Sequence, residues 1–473
     1  MFIFRQEKMM LRQKNLKLPY TGLFFTVLIL LLSINCTQKK PVKDLDIVLI
    51  SIDTLRTDHL GCYGYSRNTS PNIDRIAKEG VLFKNVISSS SWTSPAMASL
   101  FTSLYTSKHG VIHGVMKEGK VYSQEVFSDS LVRIPTVLKK HGYFTMGFSS
   151  NPHMTKALGF SKDFDIFVYG KYFNARKINK AALGFKKKNL PKNKKLFLWV
   201  HYFDPHWKYN PMKPWIDEYS KNITMKNFNE IKLKQNPKEF IMEYKLKENK
   251  ELIKFLMDCY DSEINFTDEA LGNLLRRLNL DKDKTLIIIV ADHGEEFFEH
   301  NDFTHGNNLY NETLRIPLII KFPRSMNVKG MSIKENVGII DVFPTILDAL
   351  NIPQESTFDG KSLLPLIVKR KGYDKRVIMS ELYRDKNTAL SSNQGKWKYI
   401  HDYKDNKTEL FDLETDKNEK INLADKNSDV KQLMESHIVK FLDSLKGRSK
   451  IKREVITPDE KTIKELKSLG YVE

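Results

Sequence analysis

Seventy-six lysines and arginines against 57 aspartates and glutamates give this 473-residue chain a formal charge of +19, with 41% apolar and 28% charged residues. That balance excludes a disordered or fibrous protein, and the length admits one large domain with a smaller companion, because single cores stop growing at roughly 250–300 residues. The lysines lack the aromatic interleaving and motifs of a nucleic-acid reader, so no nucleic-acid partner is expected; the charge suits a solvated lysine-rich surface or steering toward anionic head groups and glycans.

The first residues read as an export signal: Arg5, Lys8, Arg12, Lys14 and Lys17 precede an apolar run from Leu23 to Leu32. That run is short for a transmembrane helix, although Pro19 to Ile34 is long enough to anchor with little tilt. Ser33-Ile34-Asn35-Cys36 and the polar tether after it resemble a bacterial lipoprotein signal, in which Cys36 is lipidated. The alternatives are an uncleaved anchor and a cleaved secretion signal. The first two place the protein in the cell envelope, membrane-anchored on the periplasmic or extracellular side; the third exports it without an anchor. With Cys36 lipidated, only Cys62 and Cys259 remain, and no structural disulfide is expected.

Downstream, strand-like runs alternate with helical stretches, the pattern of a parallel sheet covered on both faces by helices. Asp44–Asp53 contains a buried strand ending in a carboxylate. Leu131–His141 reads as an amphipathic helix, Gly142–Ser149 and Lys195–Tyr202 as strands, and Glu251–Leu278 as a long helix with apolar residues at helical spacing. The Lys-, Asn- and Pro-rich stretch 208–250 reads as a variable insertion over the active-site face. Leu286–Val290 is a second apolar strand, running almost directly into Asp292 and His293. After about residue 375 short polar strands and a final helix near Val430–Leu445 indicate a smaller subdomain. The expected organisation is therefore 1–36 signal or anchor, 37–43 tether, 44–375 catalytic domain and 376–473 C-terminal α+β subdomain and tail.

Two strands that each deliver a metal-type ligand at their carboxyl ends point to one shared site, since open parallel sheets bind ligands there. Four segments carry the chemistry: Ser51 to Gly64, containing Asp53; Ser91 to Thr102, containing Thr93 before a helix expected to begin at Pro95; Asp292-His293-Gly294-Glu295-Glu296; and His305 to Leu318. Singly, each is an ordinary cap, turn or exposed loop. Together, an Asp, a hydroxyl and an Asp-His pair supply oxygen ligands and an imidazole suited to a divalent ion such as Zn, Mn, Mg or Ca. A hydroxyl at a helix N-terminus is placed where free amides and the helix dipole stabilise negative charge, and a metal lowers its pKa.

These four segments, in this order, resemble the sulfatase-like family of the alkaline phosphatase superfamily. His201-Tyr202-Phe203-Asp204-Pro205-His206, Asp341 to Leu347, Asp359 to Pro365, Glu409 to Leu413 and Asn422-Leu423-Ala424 extend the resemblance over roughly 44–445. It implies a three-layer α/β/α sandwich with a mostly parallel central sheet. It also implies Asp53, Asp292 and His293 as ligands of one metal ion, or two, with Thr93 as nucleophile and further ligand. His206 and His305 are implied as catalytic groups on the transferred anion or leaving group, and Asn151, His201 and Asp204 as substrate-side residues.

The departures are chemical. Sulfatases of this family carry Cys or Ser in a Cys/Ser-x-Pro-x-Arg core, converted to formylglycine; here the core is Thr93-Ser94-Pro95-Ala96-Met97. Thr54 replaces the second carboxylate of the family's Asp-Asp pair, and Ser149 to Met154 lacks a sulfate-binding lysine. The resulting expectation is phosphoryl chemistry through a covalent phosphothreonine, as hydrolase or transferase, on a phospholipid head group or phosphorylated glycan. The alternative is a sulfuric ester hydrolase acting on sulfated glycans or aryl sulfates through unmodified threonine. A third reading is an envelope-glycan-binding lipoprotein without turnover.

Overall fold

The computed structural model describes residues 43–113, 115–118, 121–171, 173–220, 237–368, 376–384, 387–446 and 454–468. The expected signal, tether and Cys36 lie outside the described residues, as does 221–236 of the expected insertion. From Lys43 onward the chain forms one compact unit.

Its centre is an eight-stranded sheet built from β1 (Asp46–Ile52), β2 (Val81–Ile87), β3 (Tyr143–Ser149), β4 (Ile166–Tyr169), β5 (Lys195–Tyr202), β6 (Thr285–Ala291), β7 (Arg315–Lys321) and β8 (Met331–Gly338). The spatial order is β8-β2-β7-β6-β1-β5-β3-β4. All neighbours pair in parallel except β7, antiparallel to both β2 and β6. Strands β1 and β6 are apolar through their middles because both faces are covered: Val48, Leu49, Ile50, Ile288, Ile289 and Val290 are fully buried.

The covering helices include α1 (Pro71–Glu79), α2 (Thr93–Thr102), α3 (Ile134–Lys140), α4 (Ala175–Asn189), α5 (Lys250–Leu278) and α6 (Val342–Ala349). Helix α5 begins one residue before its expected start, because the Asn249 side chain accepts from Leu252 N and caps it. It ends at Asn279, a residue type that tolerates the left-handed conformation found there. Helix α3 is shorter than the periodicity predicts: the buried Arg133 guanidinium donates to the carbonyls of Phe127, Ser128 and Gly159, holding the preceding residues as a loop. Helix α2 starts at Thr93 rather than Pro95, after an extended Trp92; Pro95 still falls in the first turn, where its missing N–H leaves no intrahelical bond unmade.

Strands β9 (Ile378–Arg384), β10 (Asn387–Gln394), β11 (Trp397–Asp402) and β12 (Lys407–Asp412) form an antiparallel meander with α7 (Ser428–Leu445). The meander is tied to the main body where Glu381 N donates to Ser89 O and Ser380 Oγ to Ser88 O. In the described parts of 208–250, Tyr209 and Phe240 are buried and pack against the Trp207 ring.

Candidate active site

Asp53 follows β1 directly and Asp292 follows β6, the strand paired with it, so the sheet register alone sets the two carboxylates side by side. Asp53, Asp292 and His293 are wholly buried, with one ligand atom from each lying within 4.8 Å of the others. The His293 Nδ1–H donates to Gly294 O at 2.9 Å. A carbonyl can only accept, so Nε2 is left as a lone-pair donor toward the cluster, the tautomer a metal ligand requires. That Nε2 stands 3.1 Å from Thr93 Oγ1, 3.4 Å from Asp292 Oδ2 and 3.6 Å from Asp53 Oδ1.

Asp53 Oδ1, Asp292 Oδ2 and Thr54 Oγ1 are buried here with no hydrogen-bond partner among the described residues. Leaving a buried polar group unpaired costs about 1–3 kcal/mol, more for a charge, so the donor set fits a divalent cation. Thr54 adds an independent sign, because this β-branched residue sits at φ 52°, in the left-handed region. Its amide N is 3.3 Å from Asp292 Oδ1. Burial and the charge of Asp53 push the Asp292 carboxyl up to about 6. Burial also opposes ionisation of Asp53, but His206, His201 and His293 outweigh it and hold that group low. Without a cation the pair resists carrying two negative charges.

Asp53 is oriented from behind. The Trp199 indole N–H donates to Ser51 Oγ at 2.9 Å, Ser51 Oγ lies 2.8 Å from His201 Nδ1, and His201 Nε2 lies 3.2 Å from Asp53 Oδ2. His201 is thus a support for a ligand. Asn151 Nδ2 donates to the same Asp53 oxygen at 2.5 Å and lies 3.4 Å from Thr93 Oγ1, bridging the carboxylate and the threonine hydroxyl.

His206 and His305 close the other side, with ring centroids 4.8 Å apart and His305 4.4 Å from His293. The His206 Nδ1–H donates to Trp207 O. His305 Nδ1 meets Glu295 Oε1 at 2.7 Å, and Glu295 is fully buried. Burial pushes the Glu295 carboxyl up and the His305 imidazole well down, His293 and His206 adding to the latter. Gly294 is fixed by space: a Cβ there would lie 1.9 Å from Glu312 O.

Asp204 is not brought to this cluster. Its carboxylate accepts from Ala175 N at 2.8 Å, closing the N-terminus of α4, and no contact joins it to Asp53, Thr93 or His293 among the described residues. Conversely, sequence reasoning assigned no role to Glu295, His153 or Arg384. His153 is buried edge-on to Trp92, and Arg384 extends from β9 to donate to His305 O at 3.0 Å. Both follow from packing between distant segments, which one-dimensional spacing does not signal.

The Sulfatase family profile matches residues 46–352, and a second, described as N-sulphoglucosamine sulphohydrolase, C-terminal, matches 299–446. A sulfatase of Formosa agariphila is 24% identical over 456 residues, covering 85% of this chain and 88% of the relative. The structure of BT4656 in complex with its substrate D-glucosamine-2-N,6-O-disulfate superposes with a TM-score of 0.68 at 21% identity, covering 87% of this chain and all of that one. The phosphonate monoester hydrolase of Agrobacterium radiobacter superposes at 0.65 and 17% identity, covering 88% of this chain and all of that one.

Proposed function

The chain belongs to the sulfatase family, and from that premise we propose that it hydrolyses sulfuric esters of an anionic glycan with Thr93 as nucleophile. The observation that carries this reading is the convergence of Thr93 Oγ1 with the His293 imidazole at 3.1 Å beside carboxylate oxygens that lack protein partners. Asp53, Asp292 and His293, with the two threonine hydroxyls, would hold a divalent ion. When bound, such an ion supplies Lewis-acid charge that lowers a nearby hydroxyl pKa and polarises an ester oxygen.

The chain's own groups divide the remaining work. Thr93 Oγ1 gives its proton to the His206 imidazole and attacks sulfur in line with the ester oxygen of the leaving alcohol, whose bond to sulfur breaks as a sulfothreonine forms. His305, held by Glu295, delivers its proton to that departing oxygen. A threonine ester cannot be expelled by the second hydroxyl that a formylglycine hydrate has, so water must attack the same sulfur to release sulfate and return Thr93. His305, deprotonated in the first step, takes the proton of that water, and His206 returns its proton to Thr93 Oγ1, so both groups end as they began. Asn151, fixed between Asp53 and Thr93, donates to the anion or to the nucleophile's oxygen.

The sequence departures at Thr93, Met97 and the segment Ser149 to Met154 lead toward phosphate esters, and the likeness to a phosphonate monoester hydrolase keeps phosphorus as the second reading. Family membership and a disulfated glucosamine bound in a protein of the same fold favour sulfur. The N-terminal pattern supports attachment in the cell envelope, where such polymers are met. The test is side-by-side turnover of an aryl sulfate, an aryl phosphate monoester and an aryl phosphodiester by the metal-loaded protein, with Thr93→Ala as control. Thr93-dependent preference for the sulfate is expected; preference for either phosphorus ester would install the second reading. Turnover of none, with metal and fold intact, would leave glycan binding without catalysis.

A further inference from the structure

The end of the sheet opposite the catalytic residues carries a concave surface that the reaction does not use. A cleft of about 440 Å³ opens where α1 and α5 end over the first residues of β1 and β6. Its floor is apolar, with Val48, Ile76 and Leu278 buried beside Ile287. Among the described residues lining it, Arg75, Arg276, Lys282, Lys321 and Arg324 are cationic, and Glu79 is the acid. Glu79 is shared between Lys321 and Arg75, whereas Arg276, Lys282 and Arg324 have no acidic partner within ion-pair distance among the described residues. Asp281 and Asp283 flank Lys282 in sequence but do not line the cleft.

The charge balance favours an anion. Five cations less Glu79 leave four positive charges, and the two helix C-termini, each worth roughly −0.5, reduce this to about three. The ligand is not the substrate of the catalytic site, because β6 runs from Thr285 in the cleft to Ala291 beside Asp292, a span of about 20 Å. The chain also enters the fold at this end: Asp46 N donates to Lys284 O at 2.7 Å, and Asp46 pairs with Thr285. The 42 residues before Lys43 carry the basic-then-apolar export pattern. An apolar floor beneath a cationic rim complements an amphiphile better than a purely polar polymer.

We propose that this cleft receives the head group of an anionic phospholipid and seats the amino-terminal edge of the sheet on a bilayer, with the catalytic residues facing away from it. The proposal rests on the reading of the N-terminal segment as a membrane attachment, and its test separates the two. The full chain is floated with vesicles of phosphatidylcholine alone and of phosphatidylcholine mixed with phosphatidylglycerol, beside the variant Arg276→Gln/Lys282→Gln/Arg324→Gln, whose changes are all at exposed positions. The apolar segment is common to both proteins, so it contributes equally to both.

The wild type should prefer the anionic vesicles, and the variant should lose roughly 5-fold of that preference per cation removed, on the order of 100-fold for three. Hydrogen exchange in residues 275–287 should slow on anionic vesicles in the wild type alone. Preference lost in the variant without attachment to neutral vesicles would uphold the cleft and sink the anchor. Equal preference in both proteins, or none in the wild type, would overturn the cleft proposal. Protection of 275–287 by a sulfated polysaccharide but by neither vesicle would replace the lipid with a glycan.

Discussion

Glu295→Gln tests the division of labour within the site because it removes a charge while keeping a shape. The carboxylate is fully buried, meets His305 Nδ1 at 2.7 Å, and accepts from Trp207 N and Tyr209 OH at 3.4 Å each. A glutamine oxygen still accepts from His305, so ring position is retained. The imidazolium loses its counter-charge: at this separation and an effective dielectric near 20 the attraction is on the order of 5 kcal/mol, of which desolvation cancels a large part. Loss of such supporting partners typically costs 10–100-fold, and kcat should fall by about that factor with KM little changed. The sign of the pH effect follows from the charge: without the carboxylate, His305 holds its proton less firmly, so the alkaline limb of kcat moves to lower pH. The assay is the pH profile of kcat for an alkyl sulfate and a nitrophenyl sulfate, since a good leaving group needs less protonation. The loss should be larger for the alkyl ester. A folded variant with unchanged kcat and alkaline limb on the alkyl ester would refute the role of His305 as the acid.

Other outcomes follow from the same geometry. Asp292→Asn should lose metal when measured by plasma mass spectrometry after dialysis, and undiminished content would remove Asp292 from the ligand set. Metal affinity measured calorimetrically should rise as pH passes upward through about 6, where burial and Asp53 place the Asp292 carboxyl, because below it the ion must displace a proton. His201→Ala should weaken metal binding roughly 10–100-fold by freeing Asp53, with circular dichroism unchanged. Gly294→Ala should cost about 3 kcal/mol or more in urea unfolding, since its Cβ meets Glu312 O at 1.9 Å and a backbone carbonyl cannot move aside cheaply.

Asp53 and Asp292 are legible in the sequence because a doubly covered parallel strand reads as an unbroken apolar run, against which the carboxylate that ends it stands out. Thr93 is legible for a similar reason, lying before Ser94-Pro95 at a helix start. The α/β class follows from the same runs, and the antiparallel meander after residue 375 from its change to short polar strands. Roles that depend on partners distant in sequence are less visible. Asp204 and Asp53 both follow apolar strands, yet one caps α4 and the other faces the cluster, a difference fixed only by which helix folds back beside it. Glu295 lies in a segment the sequence singles out, but its partner His305 is set by a loop closure. Thr54 reads as a lost carboxylate; the fold buries its hydroxyl without a hydrogen-bond partner among the described residues, with its amide 3.3 Å from Asp292 Oδ1.

The claim on which the account stands is that Thr93 itself carries the transferred group. Acid quenching of the metal-loaded protein during turnover of an aryl sulfate, followed by peptide mapping under conditions that keep sulfate esters intact, reads this directly. A sulfonated peptide modified at Thr93 is expected from the wild type and none from Thr93→Ala. Full turnover by Thr93→Ala, or a modification on another side chain, would contradict it.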